Sequence, residues 1–150
     1  MDQSTMQSAR NLIIKHEGFK AWPYKDSRGF LTIGYGHCLA TTPITSQAAK
    51  AVLDDDMTAV VYALQKYAPV FDNLCPERQA VLIDMTYNLG ITGILKFADM
   101  WASIEKEDWK AASDAMLNSK WALEVGKRAM EDANIMLTGK INLLADYGNS

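Results

Sequence analysis

Only one stretch of this chain, Ala21 to Leu39, is built from strand-forming residues, and helix-patterned sequence lies on both sides of it. Trp22, Tyr24, Phe30, Leu31, Thr32, Ile33 and Tyr35 favour extended backbone. Asp26-Ser27-Arg28-Gly29 between them reads as a turn, with Gly29 taking the positive φ. Gly34 and Gly36 interrupt the second strand and predict a bend or a further turn. A hairpin or three-stranded sheet this small cannot be stable alone. The chain is therefore expected to be α+β, with a small sheet near the N-terminus and a larger helical lobe.

The helices follow from apolar spacing and punctuation. A first helix is predicted from about Ser4 to His16, with Leu12 and Ile13 on its apolar stripe and Gly18 just past its end. Thr45 is placed to cap a long amphipathic helix in which Ala49, Val52, Leu53, Met57, Val60, Val61 and Leu64 recur at helical spacing. That helix reaches about Lys66, and Pro69 stops it running further. Pro76 opens the next helix, apolar on most sides and expected to be central, which ends at Gly90. Shorter helices are expected at about Leu95 to Ile104, Asp108 to Asn118 and Gly126 to Leu137, with a last segment near Ile141 to Leu144. The expected organisation is one domain over residues 1–150. In it a small β lobe spans about 18–45 and a long connecting helix about 46–66. A helical lobe spans about 67–150 and takes in the N-terminal helix.

Composition narrows the function classes. With 49% hydrophobic and 22% charged residues the chain has the makings of a core and is not a disordered polymer. No apolar run approaches the ~20 residues needed to span a bilayer. Met1-Asp2-Gln3-Ser4-Thr5-Met6 has neither a basic nor an apolar signal region, so no signal peptide is expected and synthesis should leave the protein in the cytoplasm. A net charge of −3 argues against nucleic acid as the partner. The charge is uneven: residues 1–50 carry six basic against three acidic side chains, which leaves −6 for the remainder. Cys38 and Cys75 are far apart and lack metal-ligand spacing, so both are expected as unpaired thiols.

Two carboxyls stand out. Glu17 ends an apolar helix beside Gly18 and Phe19, where partial withdrawal from water would raise its pKa and suit it to act as a general acid. Asp26 lies in a polar turn whose backbone N–H groups would keep it ionised. Glycoside hydrolysis needs such a pair, one carboxyl to protonate the leaving oxygen and one to activate water or to attack. Thr32, one strand further on, could hold that water through its hydroxyl. No HExxH, EF-hand, P-loop, dinucleotide fingerprint or GxSxG elbow is present, so neither metal nor cofactor is expected. Asp54 and Asp55 read as a solvated helix face, and Trp101, Trp109 and Trp121 as core residues on helical stripes.

His16-Glu17-Gly18, Tyr24-Lys25-Asp26, Gly29 and Thr32-Ile33-Gly34-Tyr35-Gly36-His37 together resemble the signature of the phage-type (T4-like) lysozymes, glycoside hydrolase family 24. Glu17, Asp26 and Thr32 reproduce both intervals of that family's catalytic Glu, Asp and Thr. The resemblance continues through Asp84-Met85-Thr86-Tyr87-Asn88-Leu89-Gly90, Thr92-Gly93, Phe97, Trp109, Ala111-Ala112, Ser119-Lys120-Trp121 and Lys127-Arg128-Ala129, and so covers nearly the whole chain. It departs at Leu39 to Thr45, where the T4 branch has a longer insertion, and in its acidic overall charge.

What the resemblance implies is an endolysin with a lysozyme-like fold. It would hydrolyse the β-1,4 bond between N-acetylmuramic acid and N-acetylglucosamine in bacterial peptidoglycan, with inversion favoured. Glu17 would be the general acid, and Asp26 with Thr32 would position water. By the same resemblance Tyr87 and Asn88 contact sugar, Arg128 pairs with the catalytic Glu, and His37 with Asp56 joins the sheet to the long helix. The protein would act as a monomer on the periplasmic wall, after a holin-like partner has opened the membrane. The alternative is a catalytically weak lysozyme fold kept as a glycan-binding or structural module, since fold alone does not guarantee chemistry.

Overall fold

The computed structural model describes residues 2–142. The chain is α+β, with seven α-helices and one three-stranded antiparallel sheet among the described residues. It forms two compact units, residues 1–51 and 52–150.

In the first unit α1 (Gln3–Glu17) begins where the Asp2 carboxylate accepts the Ser4 N–H at 3.3 Å, an N-cap the sequence reading did not name. It stops at Gly18, whose φ of 67° takes the chain out of the helix while its N–H still reaches the Ile14 carbonyl at 3.0 Å. The sheet follows as β1 (Lys20–Lys25), β2 (Leu31–Gly34) and β3 (His37–Cys38) in the order β1-β2-β3, which is the three-stranded form of the expectation. Across it Tyr24 stands opposite Thr32, and Thr32 opposite Cys38. Gly29 takes a φ of 83° in the β1–β2 turn, as its place in the sequence predicts.

Helix α2 (Ser46–Tyr67) opens on Thr45, whose hydroxyl accepts the Ala48 N–H at 3.1 Å. It is followed by a 3-10 turn, Pro69–Asn73. In the second unit α3 (Pro76–Ile94), α4 (Ala98–Glu105), α5 (Trp109–Leu117), α6 (Lys120–Val125) and α7 (Lys127–Thr138) enclose one core. Leu64, Phe71, Leu82, Met85, Met100, Met116, Trp121 and Met136 are buried in it. The share of methionine suits a core drawn from several short helices, because the unbranched thioether fills irregular gaps. Gly90, with a φ of 72°, breaks the helical geometry of α3, and one more turn continues to Ile94. The expected last segment is not seen as helix at Ile141 and Asn142, and its residues 143–144 lie outside the described part of the chain.

Helix α6 escaped the sequence reading. Six residues are too few to show a period, and its only local signal is Ser119, whose hydroxyl accepts the Ala122 N–H at 3.1 Å. Trp101 and Trp109 pack partly buried against the core, and both cysteines are free thiols.

One side chain ties three helices of this unit together. Arg78, on α3, donates from Nε to the Met136 carbonyl at 2.9 Å and from a terminal nitrogen to that of Leu137 at 3.4 Å, near the C-terminal end of α7. Its guanidinium lies 3.7 Å from the centre of the Trp109 ring on α5. A Cβ on Gly139 would approach the guanidinium to 3.3 Å, and that residue has the left-handed φ of 66° that ends α7. Arg78→Ala removes charged donors from helix-terminal carbonyls together with a cation–π contact, and should cost about 2 kcal/mol. Urea unfolding checks this, with a lower midpoint at an unchanged m-value expected.

Candidate active site

Asp26, Glu17 and Thr32 all fall in the first unit. The tightest part of the site is the turn that Asp26 builds around itself. One of its carboxylate oxygens accepts the N–H groups of Arg28 and Phe30, each at 2.9 Å. Its own N–H donates to the Phe30 carbonyl at 2.9 Å, and its carbonyl accepts from Gly29 at 2.9 Å. The Arg28 guanidinium stands 3.6 Å from the second carboxylate oxygen and 5.1 Å from the centre of the Phe30 ring. The backbone donor of Phe30, then those of Arg28 and its charge, favour the anion and hold the Asp26 carboxyl below its ordinary range. The residue is partly buried and fixed in place.

Thr32 sits in the middle strand and is 2% exposed, the most deeply buried polar side chain of this unit among the described residues. Its hydroxyl donates to the Phe30 carbonyl at 3.1 Å, the same residue whose N–H holds Asp26. Opposite Thr32 stands Cys38, whose thiol is lowered by a hydrogen bond from Thr41, with the charge of Asp26 acting the other way.

Glu17 is the last residue of α1, and its carboxyl lies against the backbone of Gly36. The expected withdrawal from water does not occur: Glu17 is exposed. Gly18 turns the chain out of the helix immediately after it, and the Phe19 side chain that follows is itself 65% exposed.

The supporting residues distribute as follows. His37 stands on β3 opposite Ile33, with Nε2 buried and without a hydrogen-bond partner among the described residues. Asp54, Asp55 and Asp56 are all exposed on α2. Tyr87 is half exposed on α3, at 48%, and is not core. The side-chain oxygen of Asn88 accepts the Trp121 indole N–H at 2.8 Å, so that part of its hydrogen-bonding capacity is spent within its own unit. Glu17 and Arg128 belong to different units, as do His37 and Asp56.

Arg128 has a partner the sequence reading did not name. It makes a two-pronged pair with the Asp84 carboxylate, at 2.7 and 2.8 Å, and also reaches the Asp84 carbonyl at 3.1 Å. One turn along α7 lies Asp132, 6% exposed, with one carboxylate oxygen that has no partner among the described residues. Burial first, and then the hydrogen bond and charge of Asp84, push its pKa up to about 8 against the pull of Arg128, with Glu131 adding to the rise. The protonated form of Asp132 is therefore favoured at neutral pH. A helical period from Arg128 could have located this acid, but only the packing of α7 on α3 makes it one of a pair.

A family model described as "Phage lysozyme" matches residues 14–132, well over half of the chain, and the chain belongs to that family. It is 23% identical to Probable T4-type lysozyme 1 of Dictyostelium discoideum, over 91% of this chain and 98% of that protein. It is 25% identical to the Pre-baseplate central spike protein Gp5 of Enterobacteria phage T4, over 98% of this chain but 30% of that protein. The SAR-endolysin of Bacteriophage PS119 is 28% identical over 75% of this chain and 66% of its own length. No helix among the described residues is long and apolar enough to cross a membrane.

The raised acid gives a pH test of the fold. Unfolded, Asp132 would titrate near the ordinary ~3.9, so between there and about 8 the folded chain holds a proton the unfolded chain has lost. Stability from this group is therefore complete below ~4 and falls as pH rises, by up to about 1.4 kcal/mol per pH unit, until the folded acid ionises. Asp132→Asn, which imitates the protonated acid, should flatten that slope in urea titrations from pH 5 to 8. Equal slopes in variant and wild type would show that Asp132 is ionised when folded.

Proposed function

We propose that this protein is an endolysin-type muramidase. It hydrolyses the β-1,4 bond between N-acetylmuramic acid and N-acetylglucosamine in bacterial peptidoglycan, through Glu17 as general acid and Asp26 with Thr32 as the water-positioning pair. The observation that carries this reading is the contrast between the two carboxyls of residues 1–51. Asp26 is pinned by two backbone N–H groups and kept anionic, a state suited to orienting water or countering an oxocarbenium ion. Glu17 ends a helix, its carboxyl resting on backbone and its residue open to a ligand. The relatives named T4-type lysozyme and SAR-endolysin support the substrate class.

In the proposed reaction Glu17 gives its proton to the glycosidic oxygen as the bond to the anomeric carbon breaks. Water held by Asp26 and the Thr32 hydroxyl attacks the opposite face, Asp26 takes the proton released, and the anomeric configuration inverts. Tyr87 and Asn88 are proposed to contact the glycan, with no metal or cofactor needed. Release onto the wall would follow opening of the membrane by a holin-like partner, and the enzyme would act as a monomer.

The test compares wild type with Glu17→Gln in turbidity loss of chloroform-permeabilised Gram-negative cells, reading released fragments by mass spectrometry. Loss of the acid should lower the rate about 10²- to 10⁴-fold in a variant with unchanged thermal unfolding. Wild-type fragments should end in reducing N-acetylmuramic acid; anhydro ends would mean a lytic transglycosylase, and no lysis by folded wild type a binding module. A second expectation concerns pH. Because its hydrogen bonds lower the Asp26 pKa, the carboxylate persists as pH falls, and the acid limb of kcat/KM should lie below the ordinary carboxylate range. Arg28→Gln should move that limb upward, and a limb unmoved by it would remove Asp26 from the profile.

A further inference from the structure

We infer that Gly36 is a positioning residue for Glu17: its missing side chain is the space in which the acid's carboxyl rests. Tyr35 and Gly36 make the two-residue turn between β2 and β3, and Gly36 takes a φ of 80° there. That φ alone would favour glycine. Contact adds a separate demand. A Cβ built on Gly36 would fall 2.9 Å from both Cδ and Oε2 of Glu17, and 3.3 Å from its Cγ. Real Cβ atoms do not come so close, so a side chain at 36 must displace the carboxyl, which, as the free end of a flexible and exposed side chain, swings aside at little cost in stability.

Gly34, two residues earlier, isolates this effect. Its φ of 67° makes the same backbone demand, yet a Cβ there would meet nothing within 4 Å. Alanine at 34 therefore introduces strain without contact, and alanine at 36 introduces strain with contact. Displacement of a reacting group by about 1 Å can cost on the order of 10²-fold in rate. The inference rests on the proposed role of Glu17 as acid, and the experiment separates the two.

Gly36→Ala and Gly34→Ala are compared for kcat, KM, pH profile and thermal unfolding, each also in a Glu17→Ala background. Gly36→Ala should lower kcat about 10²-fold with KM little changed and shift the basic limb of the profile, whereas Gly34→Ala should keep turnover within a few-fold of wild type. Because the carboxyl moves aside cheaply, the two substitutions should lower Tm alike, with or without the Glu17 carboxyl, so that the kcat difference is not a difference in folding. Equal effects of the two glycine substitutions on kcat would overturn the inference. If Glu17→Gln itself retains activity, it is the assignment of the acid that fails, whatever Gly36 does.

Discussion

The carboxylate of Asp26 organises the first unit before it does any chemistry. By accepting the N–H groups of Arg28 and Phe30 it closes the turn between β1 and β2, and the reciprocal bonds between Asp26 and Phe30 set the pairing of those strands. Side chains alternate along a strand, so a slip of one residue would send Thr32 to the other face. With the register as it stands, Thr32 lies opposite Tyr24 and Cys38 and its hydroxyl meets the Phe30 carbonyl. One charged group thus fixes its own position, its ionisation state and the facing of the residue proposed to share its water. A sheet of three short strands has little else with which to hold a register.

The second unit relies on a different economy. Its core is assembled from short helices whose ends must be satisfied by polar side chains. Arg78 supplies donors to the end of α7, Ser113 on α5 donates to the Ala133 carbonyl at 2.8 Å, and Ser119 and Asp108 cap α6 and α5. The Asp84–Arg128 pair with Asp132 is the exception to simple satisfaction, two acids and one cation in which a retained proton prevents an uncompensated buried charge.

Much of this was legible in the sequence because it was written in local chemistry. Pro76, Thr45, Gly18 and Gly90 stand at the helix boundaries they signal, and the aromatic and β-branched run with its Asp-Ser-Arg-Gly turn became the sheet. Helix α6 was not legible, because six residues carry no period. The intervals from Glu17 to Asp26 to Thr32 could be read as chemistry only by resemblance, since a glutamate at a helix end and an aspartate in a turn are commonplace by themselves.

What the sequence determined, then, was the identity and order of elements and the residue types at the candidate site, because caps, turns and periodicity act within a few residues. Tertiary structure decided the rest, wherever the partners are distant in the chain. Folding left Glu17 exposed rather than sheltered, and set its carboxyl against Gly36, nineteen positions away by number. It gave Arg128 to Asp84 across 44 residues and made Asp132 a proton-holding acid rather than a surface charge. Burial, close approach and pKa depend on which distant atoms displace water, and no local pattern in a sequence encodes that.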